Sequence, residues 1–133
     1  MNIKNITEIE RESLKRLLEE FSEKYLEAQV VSVCTSDGFD LCFVSKLNDT
    51  LEADKVSAIS STLCSLSNAA SEQISNSALT ITTIESVNGR NILLMKTTFC
   101  ELECVICVEG TSKMSLAELR FVTNTLSEKV MNI

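Results

Sequence analysis

Histidine, proline and tryptophan are absent from this chain of 133 residues, and glycine occurs only 3 times. Without His there is no imidazole to act as general base, metal ligand or pH switch. Ser-His-Asp and Cys-His nucleophile pairs are therefore excluded. Gly38, Gly89 and Gly110 stand alone and none precedes a Lys-Ser/Thr pair, so the sequence holds no phosphate-cradling loop. The longest apolar runs, Ile92-Leu93-Leu94-Met95 and Cys104 to Val108, fall far short of the ~20 residues of a membrane span. The opening MNIKNITEIERE lacks the apolar stretch of a signal peptide, which points to a cytoplasmic protein. The 12 basic and 19 acidic side chains leave a net charge of −7, the wrong sign for nucleic acid. Most enzyme classes fall away, and no catalytic residue, cofactor or metal ion is expected.

What is present fits one domain spanning 1–133, long enough to bury a core without metal or disulfides. The 6 cysteines are expected as reduced thiols in core positions. Over about 7–27, Ile9, Leu14, Leu17, Leu18, Phe21, Tyr25 and Leu26 recur at helical spacing. Thr7 followed by Glu10 forms a capping box there, each side chain answering a free backbone N–H. QVVSVCTS and FDLCFVSKL then flank Asp37-Gly38 and predict a hairpin, because Gly adopts the positive φ of the turn at little cost. A second helix is expected over about 51–74, capped by Asp49 or Thr50 and burying Val56, Ile59, Leu63, Leu66 and Ala70. LTITTIESV and RNILLMKTT around Asn88-Gly89 make a second hairpin, and CELECVICVEG a fifth strand. Gly110-Thr111-Ser112 opens a last helix to about Met131, burying Met114, Leu119, Val122, Leu126 and Val130. The order αββαβββα predicts an α/β (α+β) domain with a five-stranded, mostly antiparallel sheet and helices on both faces.

The middle of the chain stands out for missing charge. Between Lys55 and Glu85 lie 29 residues of which only Glu72 is charged, where the chain average would give about six or seven. The far side of the second helix is expected to carry Ser57, Ser60, Ser61, Cys64 and Asn68. Serine is a poor choice for a solvated helix face, where Lys and Glu serve better, but it lets another helix approach closely. The strand over 78–84 carries no Lys or Pro to block edge-to-edge pairing. Helix and strand together are therefore expected to meet a second copy, helix beside helix and strand beside strand.

SVCTSDGFDLCFVS, EADKVSAISSTLCSLSNAASEQI, SVNGRNILLMKT and CELECVICVEG, in this order, resemble the Roadblock/dynein-light-chain family across nearly the whole chain. In that family the second helix and third strand form the dimer. The resemblance implies contacts through Ala58, Thr62 and Ser65 on the helix and Leu79, Ile81 and Thr83 on the strand. It implies a non-enzymatic platform for a small Ras-like GTPase. Carried over by position, Ser57, Ser60, Ser61, Cys64 and Asn68 would touch that partner. Where many members have Gly after the second helix, this chain has Ser75-Asn76-Ser77. A structural adaptor without nucleotide coupling is the alternative function.

Other constellations have plainer explanations. Cys100-x-x-x-Cys104-x-x-Cys107 has the spacing of a radical-enzyme iron–sulfur loop and is the basis of a remote redox alternative. Residues three apart on a strand point to opposite faces, so Cys104 and Cys107 should diverge. A two-residue turn would set Cys34 opposite Leu41 and Cys42 opposite Val33, leaving those thiols unpaired. Asp37 and Asp49 are explained by turn and cap, without an ion for them and Asp40 to share. Glu101 and Glu103 alternate on one strand face, solvated. Arg90, at a hairpin tip, and Arg120 are candidates for an arginine finger, with simple solvation the commoner role.

Overall fold

Thr7 opens the first helix as its spacing to Glu10 requires: Glu10 N–H donates to Thr7 Oγ1 at 3.1 Å and Thr7 N–H to Glu10 Oε1 at 2.9 Å. The computed structural model describes residues 5–47 and 50–133. Its elements are α1 (Glu8–Lys24), β1 (Ala28–Thr35), β2 (Asp40–Ser45), α2 (Ala53–Ser75), β3 (Ile81–Glu85), β4 (Asn91–Phe99), β5 (Leu102–Gly110) and α3 (Leu116–Met131). The strands form one sheet in the order β2-β1-β5-β4-β3, every neighbouring pair antiparallel. The expected α+β architecture is present, with α1 and α3 on one face and α2 on the other.

Both Gly turns are variants of the expected hairpins. Thr35 N–H donates to Phe39 O and Gly38 N–H to Thr35 O, while Gly38 takes φ +94°. Ser86, Gly89 (φ +84°) and Arg90 repeat the same pattern. Each loop holds three residues closed by a left-handed Gly, the arrangement that goes with a bulge. One consequence corrects the register: Cys42 does face Val33, but Cys34 faces Asp40 rather than Leu41. Gly38 is also pressed on the second helix, since a Cβ there would stand 3.0 Å from Ser61 Oγ. The β4–β5 turn has no turn-forming residue to announce it. Cys100 (φ 48°) and Glu101 (φ 68°) both adopt left-handed backbone there without glycine. Glu101 thus leaves the strand face it was expected to share with Glu103.

Other boundaries shift for local reasons. Helix α3 begins several residues later than expected, because Ser115 caps it by accepting from Glu118 N–H at 3.1 Å. Met114, in the preceding turn, is still buried. Helix α1 stops at Lys24, and Ile9 and Leu26 at its two ends are exposed rather than buried. The N-cap of α2 is Glu52, with no side-chain cap bond, instead of Thr50; Asp49 lies outside the described residues.

The larger core fills the α1/α3 side. Leu14, Leu18 and Phe21 of α1 and Leu119, Val122, Leu126 and Val130 of α3 close over Val31, Val33, Leu93, Ile106 and Val108 of the central strands. On the α2 side the buried apolar set shrinks to Cys34, Cys64, Leu94, Val105 and Cys107.

Candidate functional site

The charge-poor helix and strand are joined through Asn68 and Leu79, but α2 is turned the other way round from the expectation. Ser57, Ser60, Ser61 and Cys64 face the sheet, at 0, 2, 9 and 4% exposure. Ile59 and Leu66, expected inside, are 59 and 63% exposed, and Ala70 is exposed too. Val56 and Leu63 are half-buried flanks, packed on the small core. The four residues assigned to a partner by position are therefore internal contacts; of the five, Asn68 alone remains half-exposed.

The sheet beneath explains the inversion. It presents Ser32, Cys34 and Cys107, small side chains that leave room for a helix to lie close. Cys34 Sγ–H points at Ser57 O at 3.7 Å, Ser57 Oγ at Asp40 Oδ1 at 3.5 Å, and Ser60 bonds Cys107. Burial pushes these thiols up: Cys34 to about 12, with nearby thiols adding to it, Cys107 to about 11, and Cys64 upward as well. They are protonated packing groups, without the thiolate character that nucleophilic or metal-binding cysteines need. Cys104 and Cys107 belong to cores on opposite faces of the sheet, and Cys100 sits in the β4–β5 turn. The iron–sulfur geometry is therefore not formed.

Around the far end of α2, polar side chains do the anchoring. Asn68 Oδ1 accepts Leu79 N–H at 3.0 Å, and Ser71 Oγ donates to Ser77 O at 2.8 Å. Asn76 closes the helix in the left-handed conformation (φ 54°), a position that glycine commonly takes. The chain then enters β3, the last strand of the sheet. Along β3, Thr82 and Ile84 pair with Leu94 and Ile92 on the α2 side, and Ile81 and Thr83 with Met95 and Leu93 on the other. Thr82 Oγ1 is buried and has no hydrogen-bond partner among the described residues.

The outer surface of α2 is thus a stripe of Ile59, Leu66 and Ile74, the last 85% exposed, and β3 leaves an open edge on the sheet. Ala58, Thr62 and Ser65 are exposed next to the stripe; on β3, Thr83 is exposed while Leu79 and Ile81 are half-buried. The missed residues had only part of a signal. Ser32, Cys34 and Cys107 can be read in the sequence, but only the pairing of β1 with β5 beneath α2 makes them a floor that turns the serines inward.

Of the two candidate arginines, Arg90 differs from expectation and Arg120 does not. Arg90 Nη2 is bonded to Glu109 Oε1 at 2.8 Å, which holds it to its own chain rather than free at the hairpin tip, and Arg120 is exposed on α3. A cleft of about 160 Å³ beside α2, lined by Ser36, Ser61, Ser65, Asn68, Lys96 and Glu103 among others, is smaller than the roughly 300–1,000 Å³ of ordinary ligand pockets.

No protein-family model and no curated protein matches this sequence. Solved structures do match the fold. The gliding protein MglB from Thermus thermophilus superposes with a TM-score of 0.80 at 10% identity, covering 95% of this chain and 91% of that one. MglB from Myxococcus xanthus gives 0.79 at 12% identity, with 95 and 90% covered. A Roadblock/LC7 domain from Streptomyces avermitilis gives 0.74 at 16% identity, with 89 and 94% covered. The chain has a Roadblock-type α+β fold.

Proposed function

We propose that this chain is a non-enzymatic module that pairs with a second copy through α2 and β3, and that the paired α2 helices bind and regulate a small Ras-like GTPase. The observation that carries the reading is the exposed Ile59–Leu66–Ile74 stripe on a charge-poor helix, together with the open edge of β3, the last strand of the sheet. An exposed apolar stripe of this kind costs solubility unless it is covered. An edge strand with no Lys, Pro or bulge is a template for another strand. A second copy answers both, because two copies of a surface whose only charge between residues 56 and 84 is Glu72 meet with little like-charge repulsion. In that pairing Ala58, Thr62 and Ser65 line the helix contact, and Leu79, Ile81 and Thr83 the strand contact.

The GTPase follows from the likeness to Roadblock-type modules. Stimulated hydrolysis would come from stabilising a competent arrangement of the partner's own switch segments, since Arg90 is engaged by Glu109. Sedimentation should show a dimer at micromolar concentration, and Ile59→Glu or Thr83→Lys should weaken association about a hundredfold or more, roughly 3 kcal/mol, with the far-UV spectrum kept. A monomeric parent overturns the dimer. The immobilised protein, offered lysate with GDP or with a non-hydrolysable GTP analogue, should retain a small GTPase only with the analogue. Equal retention in both states, or none, favours an adaptor without nucleotide coupling.

A further inference from the structure

We infer that α2 is locked onto its sheet by the second copy more than by its own chain, so that separating the copies opens α2 and uncovers the thiols beneath it; this rests on the dimer proposed above. Seven of the 23 residues of α2 are serines, which are weaker helix formers than Ala, Leu or Glu. Its N-cap, Glu52, makes no side-chain cap bond. Its buried face is three serines and one cysteine, and after Cys64 none of its residues is buried. The last three turns are tied mainly by Asn68 and Ser71.

Beneath the helix, Ser32 Oγ is fully buried and finds no hydrogen-bond partner among the described residues, so closing α2 over the sheet forfeits hydration there. Of the large side chains of α2, Val56 and Leu63 are half-buried against the small core, while Ile59, Leu66 and Ile74 point away from the sheet. Covering that stripe adds apolar burial that the helix's own sheet does not supply, and helix docking and partner binding become one linked equilibrium.

The protein carries its own reporters of this equilibrium. Cys34 and Cys107 lie under α2 and Cys64 on its sheet-facing side, at 0, 7 and 4% exposure, whereas Cys104, at 2%, is buried in the core on the opposite face. An opening confined to α2 exposes the first three and spares the fourth.

Backbone hydrogen exchange and brief N-ethylmaleimide pulses, both read peptide by peptide by mass spectrometry, test this on the full chain. They are followed across a dilution series from ~100 µM to ~10 nM, with sedimentation in parallel. On dissociation, α2 amides and alkylation of Cys34, Cys64 and Cys107 should accelerate together by about tenfold or more, while β5 amides and Cys104 hold their rates. Leu66→Glu, folded but monomeric, should show the fast rates at high concentration. Dissociation without faster α2 exchange or labelling overturns the lock and leaves the dimer standing. A chain that sediments as a monomer at every concentration overturns the dimer, and the lock with it.

Discussion

Helices α1 and α3 press Leu14, Leu18, Phe21, Leu119, Val122, Leu126 and Val130 onto one face of the sheet, whereas α2 lays Ser57, Ser60, Ser61 and Cys64 on the other. Each fully buried Leu or Phe contributes roughly 1.5–3 kcal/mol, against about 0.5–1.5 kcal/mol net for a satisfied hydroxyl hydrogen bond. The first face is held by area removed from water, the second by close approach and a few polar bonds. The difference teaches where this chain keeps its stability and where it keeps its exposed surface. A helix that buries serines has its Ile and Leu free for something else.

The sharpest break of the comparison is a matched pair of truncations. Leu18→Ala should cost about 2–5 kcal/mol in urea unfolding, because Leu18 is fully buried in the larger core and a cavity would remain. Ser60→Ala, similarly enclosed on the other face, should cost about 1 kcal/mol or less. Similar losses from both would erase the distinction between the faces.

Buried hydroxyls give a smaller contrast. Thr97 and Ser127 bond each other at 2.9 Å between β4 and α3. Ser127→Ala strands Thr97 and should cost about 1–3 kcal/mol. Ser32→Ala removes a hydroxyl with no partner among the described residues and should be neutral or stabilising by up to about 1 kcal/mol. A destabilised Ser32→Ala would mean that the hydroxyl is satisfied in solution.

The smallest effect is one of pH. Asp40, half-buried beside the start of α2, is held above the ordinary aspartate value of 3.8 by burial and then by Asp54, with the Ser57 bond opposing. A raised folded value means the native state holds a proton that the unfolded chain releases. Its contribution is therefore full below 3.8 and is lost as pH rises through the folded value. Asp40→Asn keeps the acceptor for Ser57 and removes the charge, so the melting temperature at neutral pH should rise by roughly 1–2 °C. The gain should vanish in acid; a gain that is independent of pH would refute the electrostatic cause.

Much of this molecule is legible without coordinates because the causes are local. The capping box at Thr7 and Glu10, the left-handed Gly38 and Gly89, and the alternation in β1 and β5 each depend on a few neighbouring residues. So the element order, the five strands and the opposite directions of Cys104 and Cys107 can be read directly. Sequence alone could not say which of two opposite faces of α2 would be buried. The helix carries an apolar stripe and a serine stripe, and periodicity favours burying the first. The choice was made by residues distant in sequence. Ser32, Cys34 and Cys107 offer a shallow floor, and the turn at Gly38 presses close to Ser61. That floor accepts small side chains and turns Ile59 and Leu66 outward, which is why the composition of the surface was determined by the sequence and its location by the tertiary structure.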